Sequence, residues 1–205
     1  MNYQLFYKRR LPHYQPPGAT LFITFRLAGS LPLEVLQRLE AEERVMKAEI
    51  DELTGPQDRE RASYLAQKQF FGKWDAQLDA CHSGPKWLAD PPVAKMICEA
   101  LRYHDGKEYI LEAYCVMPNH AHLVCTPLSD ETGIIPLSKI MHSLKGYTAR
   151  KANLLLGRTG DFWQHESYDH VVRDEAELGR IIKYVVENPI RAGLATQWVY
   201  CRANY

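Results

Sequence analysis

The spacing of apolar residues changes several times along the chain, and each change marks an element. Ala19–Leu27 (ATLFITFRL) is β-branched and aromatic and follows the breakers Pro16-Pro17-Gly18, which predicts a first strand. From Pro32 to about Leu53, Leu33, Leu36 and Leu39 sit among glutamates and arginines, a helix-forming mixture that Gly55-Pro56 stops. A second helix over Gln57–Leu78 makes the pair a helical hairpin inserted after the first strand. Val93, Met96, Ile97 and Leu101 give a helical period from about Pro92 to Tyr103. Glu108–Met117 and Asn119–Cys125 read as strands, with a bend or bulge at Pro118-Asn119. Leu137–Leu156 is helical again. Phe162–Val172 is aromatic and β-prone. Asp174 is a candidate N-cap, with Glu177 three residues on to complete a capping box; the helix it opens is expected to end near Asn188-Pro189. Thr196–Tyr200 suggests a last strand. This order, with antiparallel neighbours, predicts an α+β sandwich.

Composition narrows the class. The 205 residues, against about 150 per domain, allow one domain with an insertion. A chain with 46% hydrophobic and 24% charged residues is neither disordered nor collagen-like. No run approaches ~18 uninterrupted apolar residues, so no membrane helix is expected. The first residues lack a signal-peptide core, and the five cysteines (Cys81, Cys98, Cys115, Cys125, Cys201) contain no C-x-x-C pair. A cytoplasmic protein with reduced thiols is the expectation. The 25 basic and 25 acidic side chains cancel, which argues against indiscriminate nucleic-acid binding. Two segments nonetheless carry bases and no acid: residues 1–33, with Lys8, Arg9, Arg10 and Arg26, and residues 132–160, with Lys139, Lys145, Arg150, Lys151 and Arg158. Such segments are either a local anion-binding surface or plain solvated faces.

The chemistry candidates start with His120 and His122. Residues i and i+2 of a strand share a face, so the two imidazoles would project side by side as a grip for a divalent metal, lacking a third ligand. Downstream, Leu178, Ile181, Ile182 and Val185 define a buried helical stripe. At roughly 100° per residue, Tyr184 and Asn188 both lie off that stripe on the same flank, Tyr184 farther from its centre. Four residues apart, their side chains stack, either toward a site or as a surface tyrosine and a C-cap asparagine. Tyr147, beside Gly146, is a rival phenol; its nearness to Leu144 and Ile140 reads as packing. Lys145, Arg150 and Lys151 suit phosphate contacts. Trp163, His165 and Tyr168 could stack on unpaired bases, although Trp163 could equally be core. His13, His82, His104, His142 and His170 show no convincing partner.

Taken together, these residues resemble a known family. Met117-Pro118-Asn119-His120-Ala121-His122-Leu123-Val124 is similar to the His-hydrophobe-His strand of the HUH single-tyrosine transposases, and Lys183-Tyr184-Val185-Val186-Glu187-Asn188-Pro189 to their nucleophile helix. Ser143-Leu144-Lys145, Phe162-Trp163-Gln164-His165 and Asn188-Pro189-Ile190-Arg191-Ala192-Gly193-Leu194 add to the likeness, and Asn-Pro after the tyrosine resembles the REP-associated branch. The resemblance covers residues 90–195 and leaves 31–89 as an insertion in a single transposase domain. It implies a ferredoxin-like α+β core with a central antiparallel sheet carrying the two histidines. It also implies Mn²⁺ or Mg²⁺ bound by His120, His122 and Asn188, with Tyr184 as nucleophile. Insertion-sequence relatives often carry a glutamine where this chain has Asn188.

The implied reaction is metal-dependent nicking and rejoining of single-stranded DNA at short palindromic hairpins, through a 5′-phosphotyrosine. Phosphate contacts would come from Arg9, Arg10, Lys139, Lys145, Arg150 and Lys151, and base contacts from Trp163 and His165. The partner is single-stranded or hairpin DNA, without membrane, with a monomer favoured over a dimer. The alternatives are a silent palindrome-binding protein derived from a transposase, and a metal-dependent phosphoesterase of another fold.

Overall fold

Side chains alternate across the strands around residue 120, and that alternation divides the architecture into two faces. A computed structural model describes residues 6–8, 12–80, 82–131, 133–194 and 196–202. The strands and helices are β1 (Phe6–Lys8), β2 (Pro12–Tyr14), β3 (Leu21–Arg26), α1 (Leu33–Asp51), α2 (Pro56–Ala80), α3 (Pro91–Tyr103), β4 (Tyr109–Val116), β5 (His120–Pro127), β6 (Ser129–Asp130), β7 (Gly133–Ile134), α4 (Leu137–Leu155), β8 (Tyr168–Val171), α5 (Glu175–Arg191) and β9 (Val199–Cys201). They group into two compact units, one of Met1–Ala28 with Pro85–Tyr205 and one of Gly29–Gly84. No helix among the described residues is long and apolar enough to cross a membrane.

The first unit is built on a five-stranded antiparallel sheet in the order β8-β3-β5-β4-β9. With α3 between β3 and β4, and α4 between β5 and β8, this is the α+β arrangement expected for a ferredoxin-like core; α5 and β9 extend it. Leu21, Ile23 and Phe25 of β3 and Ala121, Leu123 and Cys125 of β5 point to one face. There they pack with Val93, Ile97 and Leu101 of α3 and Ile140, Leu144 and Ala152 of α4. The intervening residues Phe22 and Thr24, His120 and His122 point to the other face, against which α5 lies. A bulge at Glu112 shifts the phase of β4, so Leu111 and Tyr114 both reach the α3–α4 core. Arg202 secures it: its backbone N–H donates to Glu112 O (2.8 Å) and its Nε to Leu111 O (2.7 Å).

Several boundaries differ from expectation for identifiable reasons. The Pro118-Asn119 bend is a tight hairpin turn, with Met117 N–H donating to His120 O (2.9 Å). The aromatic run after residue 160 pairs as a strand only at Tyr168–Val171, because Phe162 and Trp163 plug into the core instead. The helix α5 passes through Pro189 rather than ending there. Its end is a Schellman closure: Leu194 N–H donates to Pro189 O (2.8 Å) and Gly193 N–H to Ile190 O (3.0 Å), with Gly193 at φ 68°. Its start is capped as expected by Asp174, which accepts from Glu177 N–H at 2.7 Å. The Glu177 carboxylate accepts from Arg173 N–H (3.0 Å) rather than that of Asp174, and its other oxygen meets His170 Nε2 at 3.2 Å.

The second unit is the helical hairpin of α1 and α2, tied by an ion pair between Lys73 and Glu42 (2.6 Å). Its two ends meet. Gly84, at φ 79°, lies so close to the Gly29 carbonyl that a Cβ there would collide with it, which requires glycine on both counts.

Candidate active site

The central strand β5 carries His120 and His122 on the α5 face, and both are wholly buried. His120 Nδ1 lies 2.7 Å from Asn119 Oδ1, and His122 Nδ1 2.8 Å from Thr24 Oγ1, directly across the β3–β5 register. A carboxamide oxygen only accepts, so Nδ1 of His120 holds the proton and its Nε2 keeps the lone pair. The same assignment for His122 lets its Nε2 accept from Asn188 Nδ2 at 3.1 Å. Both Nε2 atoms then face a common point, 3.1 Å apart. Burial pushes the His120 pKa down to about 3, and burial with its neighbour His120 pushes His122 well below the ordinary range. Both rings are therefore neutral at physiological pH, which is the state that binds metal.

The helix α5 supplies the rest. Asn188 is 2% exposed and donates through Nδ2 to the Tyr184 oxygen at 3.0 Å. The Tyr184 ring stands edge-on to Phe22 (6.2 Å) and to His122 (5.6 Å), with the Arg191 guanidinium 6.0 Å from its centroid. The continuation of α5 through Pro189 keeps Asn188 in helical phase with Tyr184, which the C-cap alternative does not. The phenol stays partly exposed. Tyr109 and Tyr114, by contrast, are fully buried with phenols that burial pushes up, which removes them as nucleophiles.

This donor set fits a divalent ion. Two nitrogens about 2.1 Å from one ion at a right angle stand about 3.0 Å apart, close to the separation of the imidazoles. The groups that could hold it are His120 Nε2, His122 Nε2 and the Asn188 carboxamide, whose oxygen and nitrogen exchange by a half-turn. Each imidazole is also oriented through its other nitrogen, as metal-binding histidines are. Thr24, which orients His122, carries no local signal in the sequence and is brought in only by strand pairing, whereas Asn119, which orients His120, belongs to the Pro118-Asn119 turn.

The candidate DNA-contacting residues scatter. Arg9 and Arg10 lie outside the described residues. Arg150 and Lys151 are exposed on α4, and Lys139 meets Asp130 at 3.6 Å. Lys145 turns its ammonium onto the carbonyls of Gln164 (3.0 Å) and His165 (3.1 Å). His165 is 77% exposed. Trp163 is a core residue rather than a surface platform: it packs edge-on to Phe25 and donates through Nε1 to Thr148 Oγ1 at 2.8 Å. Tyr147, expected to pack, is 43% exposed. His104 and His170 do have partners, in Glu108 (3.0 Å) and Glu177.

A His-x-His pair on a central antiparallel strand, facing a tyrosine and an amide from a later helix, gives this α+β protein a candidate metal-and-phenol site. Residues 87–188, about half of the chain, match the family described as Transposase IS200 like, and the chain belongs to that family. The match runs from before α3 to Asn188 and so contains all four site residues. A Haemophilus influenzae protein named as a REP-associated tyrosine transposase is 24% identical over 97 residues, 43% of this chain and 55% of the relative. The chain thus spans about half the length of that curated relative. A solved structure of a REP-associated tyrosine transposase bound to a REP hairpin aligns with a TM-score of 0.46 and 12% identity, over 93% of this chain and 78% of that one.

Proposed function

We propose that the protein is a metal-dependent single-stranded DNA endonuclease and strand transferase, acting on short REP-like hairpins through Tyr184. The observation that carries this reading is one continuous contact chain: the Tyr184 oxygen, the Asn188 carboxamide at 3.0 Å and His122 Nε2 a further 3.1 Å on. A nucleophile is thereby held beside a neutral imidazole pair suited to a divalent ion.

The Tyr184 oxygen attacks the scissile phosphorus. The bond from phosphorus to the tyrosine oxygen forms as that to O3′ breaks, the phenol gives up its proton, and O3′ gains one. One ester replaces another, so attack by a different 3′-hydroxyl reverses the step and joins strands without an energy source. The Asn188 carboxamide, 3.0 Å from the Tyr184 oxygen, and the Phe22 ring, edge-on to Tyr184, position the phenol. Thr24 and Asn119 keep the imidazole lone pairs aimed inward. A divalent ion on His120, His122 and Asn188 would polarise a non-bridging phosphate oxygen, a role for which imidazole donors favour Mn²⁺ over Mg²⁺. In this reading the chain is one transposase domain, with the α1–α2 unit inserted between β3 and α3.

Incubation with labelled hairpin oligonucleotides and Mn²⁺, resolved on a denaturing gel, tests the reading. A protein-linked strand is expected from the natural chain and none from Tyr184→Phe, which should still bind hairpins; an adduct from that variant rejects Tyr184. Metal-dependent nicking should vanish in His120→Ala. Binding without any adduct would favour a silent palindrome-binding protein, and free hydrolysed ends a phosphoesterase.

A further inference from the structure

The helix α5 carries a cation outside the contact chain of Tyr184, Asn188 and His122. Side chains of a helix lean toward its N-terminus, so a long residue covers the turn before its own. Arg191 follows Tyr184 by seven residues, which at roughly 100° per residue leaves it only about 20° off the same line. Tyr184, Asn188 and Arg191 thus succeed one another down one face of α5 as phenol, carboxamide and guanidinium. The guanidinium reaches back to 6.0 Å from the Tyr184 ring centroid, the outer limit of a cation–π contact.

That guanidinium is lightly held. Glu187 pairs with Arg191 at 2.7 Å on one side and with Lys183 at 3.7 Å on the other. The Arg191 side chain is 61% exposed, and an ion pair this open to solvent contributes little free energy. Arg191 can therefore leave the carboxylate at small cost when a better anion arrives. A phosphodiester is such an anion, because its oxygens match the planar fork of a guanidinium and accept two charge-assisted hydrogen bonds. Glu187 is also the i+3 neighbour of Tyr184, so a phosphate at the phenol meets its negative charge unless a cation lies between. One non-bridging oxygen of the scissile phosphate is assigned to the site of His120, His122 and Asn188; the other has no partner in that set.

We propose that Arg191 is a catalytic residue: on DNA binding its guanidinium exchanges Glu187 for the phosphate under attack by Tyr184, and it stays on that phosphate in the tyrosine-linked state. The exchange makes and breaks only hydrogen bonds. The inference rests on the proposed function for the attack itself. A cation in the last turn of a helix also complements the helix dipole, and an i, i+4 pair with glutamate supports the helix. Lysine serves both of those ends but lacks the fork, which separates the roles.

The test compares Arg191→Gln, Arg191→Lys and Lys183→Gln in the full chain, using a labelled hairpin oligonucleotide with single-stranded flanks. Fluorescence anisotropy in chelator reads the phosphate contact. Arg191→Gln should lower the slope of log Kd against log salt by about one, and Arg191→Lys should not. With Mn²⁺ and saturating protein, single-turnover adduct formation should fall about tenfold or more in Arg191→Gln and stay low in Arg191→Lys. Lys183→Gln, which removes the other cation on Glu187, should stay within about twofold of the natural rate. Thermal melts check that all three fold. An unchanged salt slope or adduct rate in Arg191→Gln, full recovery of the rate by lysine, or an equal loss in Lys183→Gln overturns the proposal. No adduct from the natural chain defeats the endonuclease reading and the phosphate clamp with it. Adduct from the natural chain and undiminished adduct from the Arg191 variants defeat the clamp alone.

Discussion

The helices α3 and α5 of the sheet unit and the helices α1 and α2 of the inserted unit are specified in different ways. Each of the first pair opens on an aspartate: Asp90 accepts from Val93 N–H at 3.4 Å, and Asp174 from Glu177 N–H at 2.7 Å. On α3, Val93, Ala94, Ile97, Cys98, Ala100 and Leu101 are buried as one apolar face. The α1 helix begins after Pro32 without a side-chain cap, buries Leu39, and leaves Leu33 69% and Val45 58% exposed. What α1 has is good helix formers and exposed ion pairs such as Lys47–Glu43 at 2.5 Å. Periodicity and caps direct the first pair onto a particular partner. Propensity alone directs α1 to be a helix, and says little about what it should touch.

The largest contrast should come from truncating one side chain in each region. Leu123 is wholly buried in the sheet core, so Leu123→Ala should cost about 2–5 kcal/mol in urea unfolding. Val45→Ala in α1 should stay within about 0.5 kcal/mol, since it removes exposed methyl groups. Equal losses would show that α1 is specified by packing after all.

The same contrast explains which parts of the molecule the sequence disclosed. The ends of α3 and α4 fall within a residue of the periodic pattern, and the pairing of Tyr184 with Asn188 follows from helical spacing alone. The two histidines share a face for an equally local reason. What escaped depends on residues far apart in the chain. Thr24 reaches His122 only through strand register, and whether Trp163 is core or surface is decided by the Thr148 hydroxyl fifteen residues before it. Tyr147 lies at the margin of the α4 stripe, and the buried line through Ile140, Leu144 and Thr148 leaves it outside. Asn188 is buried because α5 runs past Pro189, a continuation that the Gly193 closure permits.

Acidification should act on the sheet unit, where the buried imidazoles lie. Their pKa values in the fold stand below the unfolded value near 6.5, so the fold holds the neutral form. That contribution is complete above pH 6.5 and is lost as pH falls from there toward the folded values. One pH unit is about 1.4 kcal/mol per fully titrating histidine, and the unfolded imidazole is half protonated at pH 6.5, so metal-free protein should lose roughly 3 kcal/mol between pH 6.5 and 5.0. Melts in chelator measure it, and His120→Gln should remove about half of the loss. A pH-independent melt over that range would mean the rings are not held neutral.

The smallest expected difference isolates capping from burial. Asp174 is exposed, so Asp174→Ala removes little besides the acceptor for Glu177 N–H and should cost about 1 kcal/mol. Glu177 remains tied to Arg173 N–H and to His170, which limits fraying to the first turn. Lys73→Ala, breaking the exposed pair with Glu42 in the inserted unit, should leave the melting temperature almost unchanged because solvent screens the pair. Asp174→Asn is the sharpening control: asparagine caps as well as aspartate but without charge. Recovery of most of the loss by asparagine assigns it to the hydrogen bond, whereas no recovery assigns it to the negative charge at the helix start and moves the distinction between the two regions from local geometry to electrostatics.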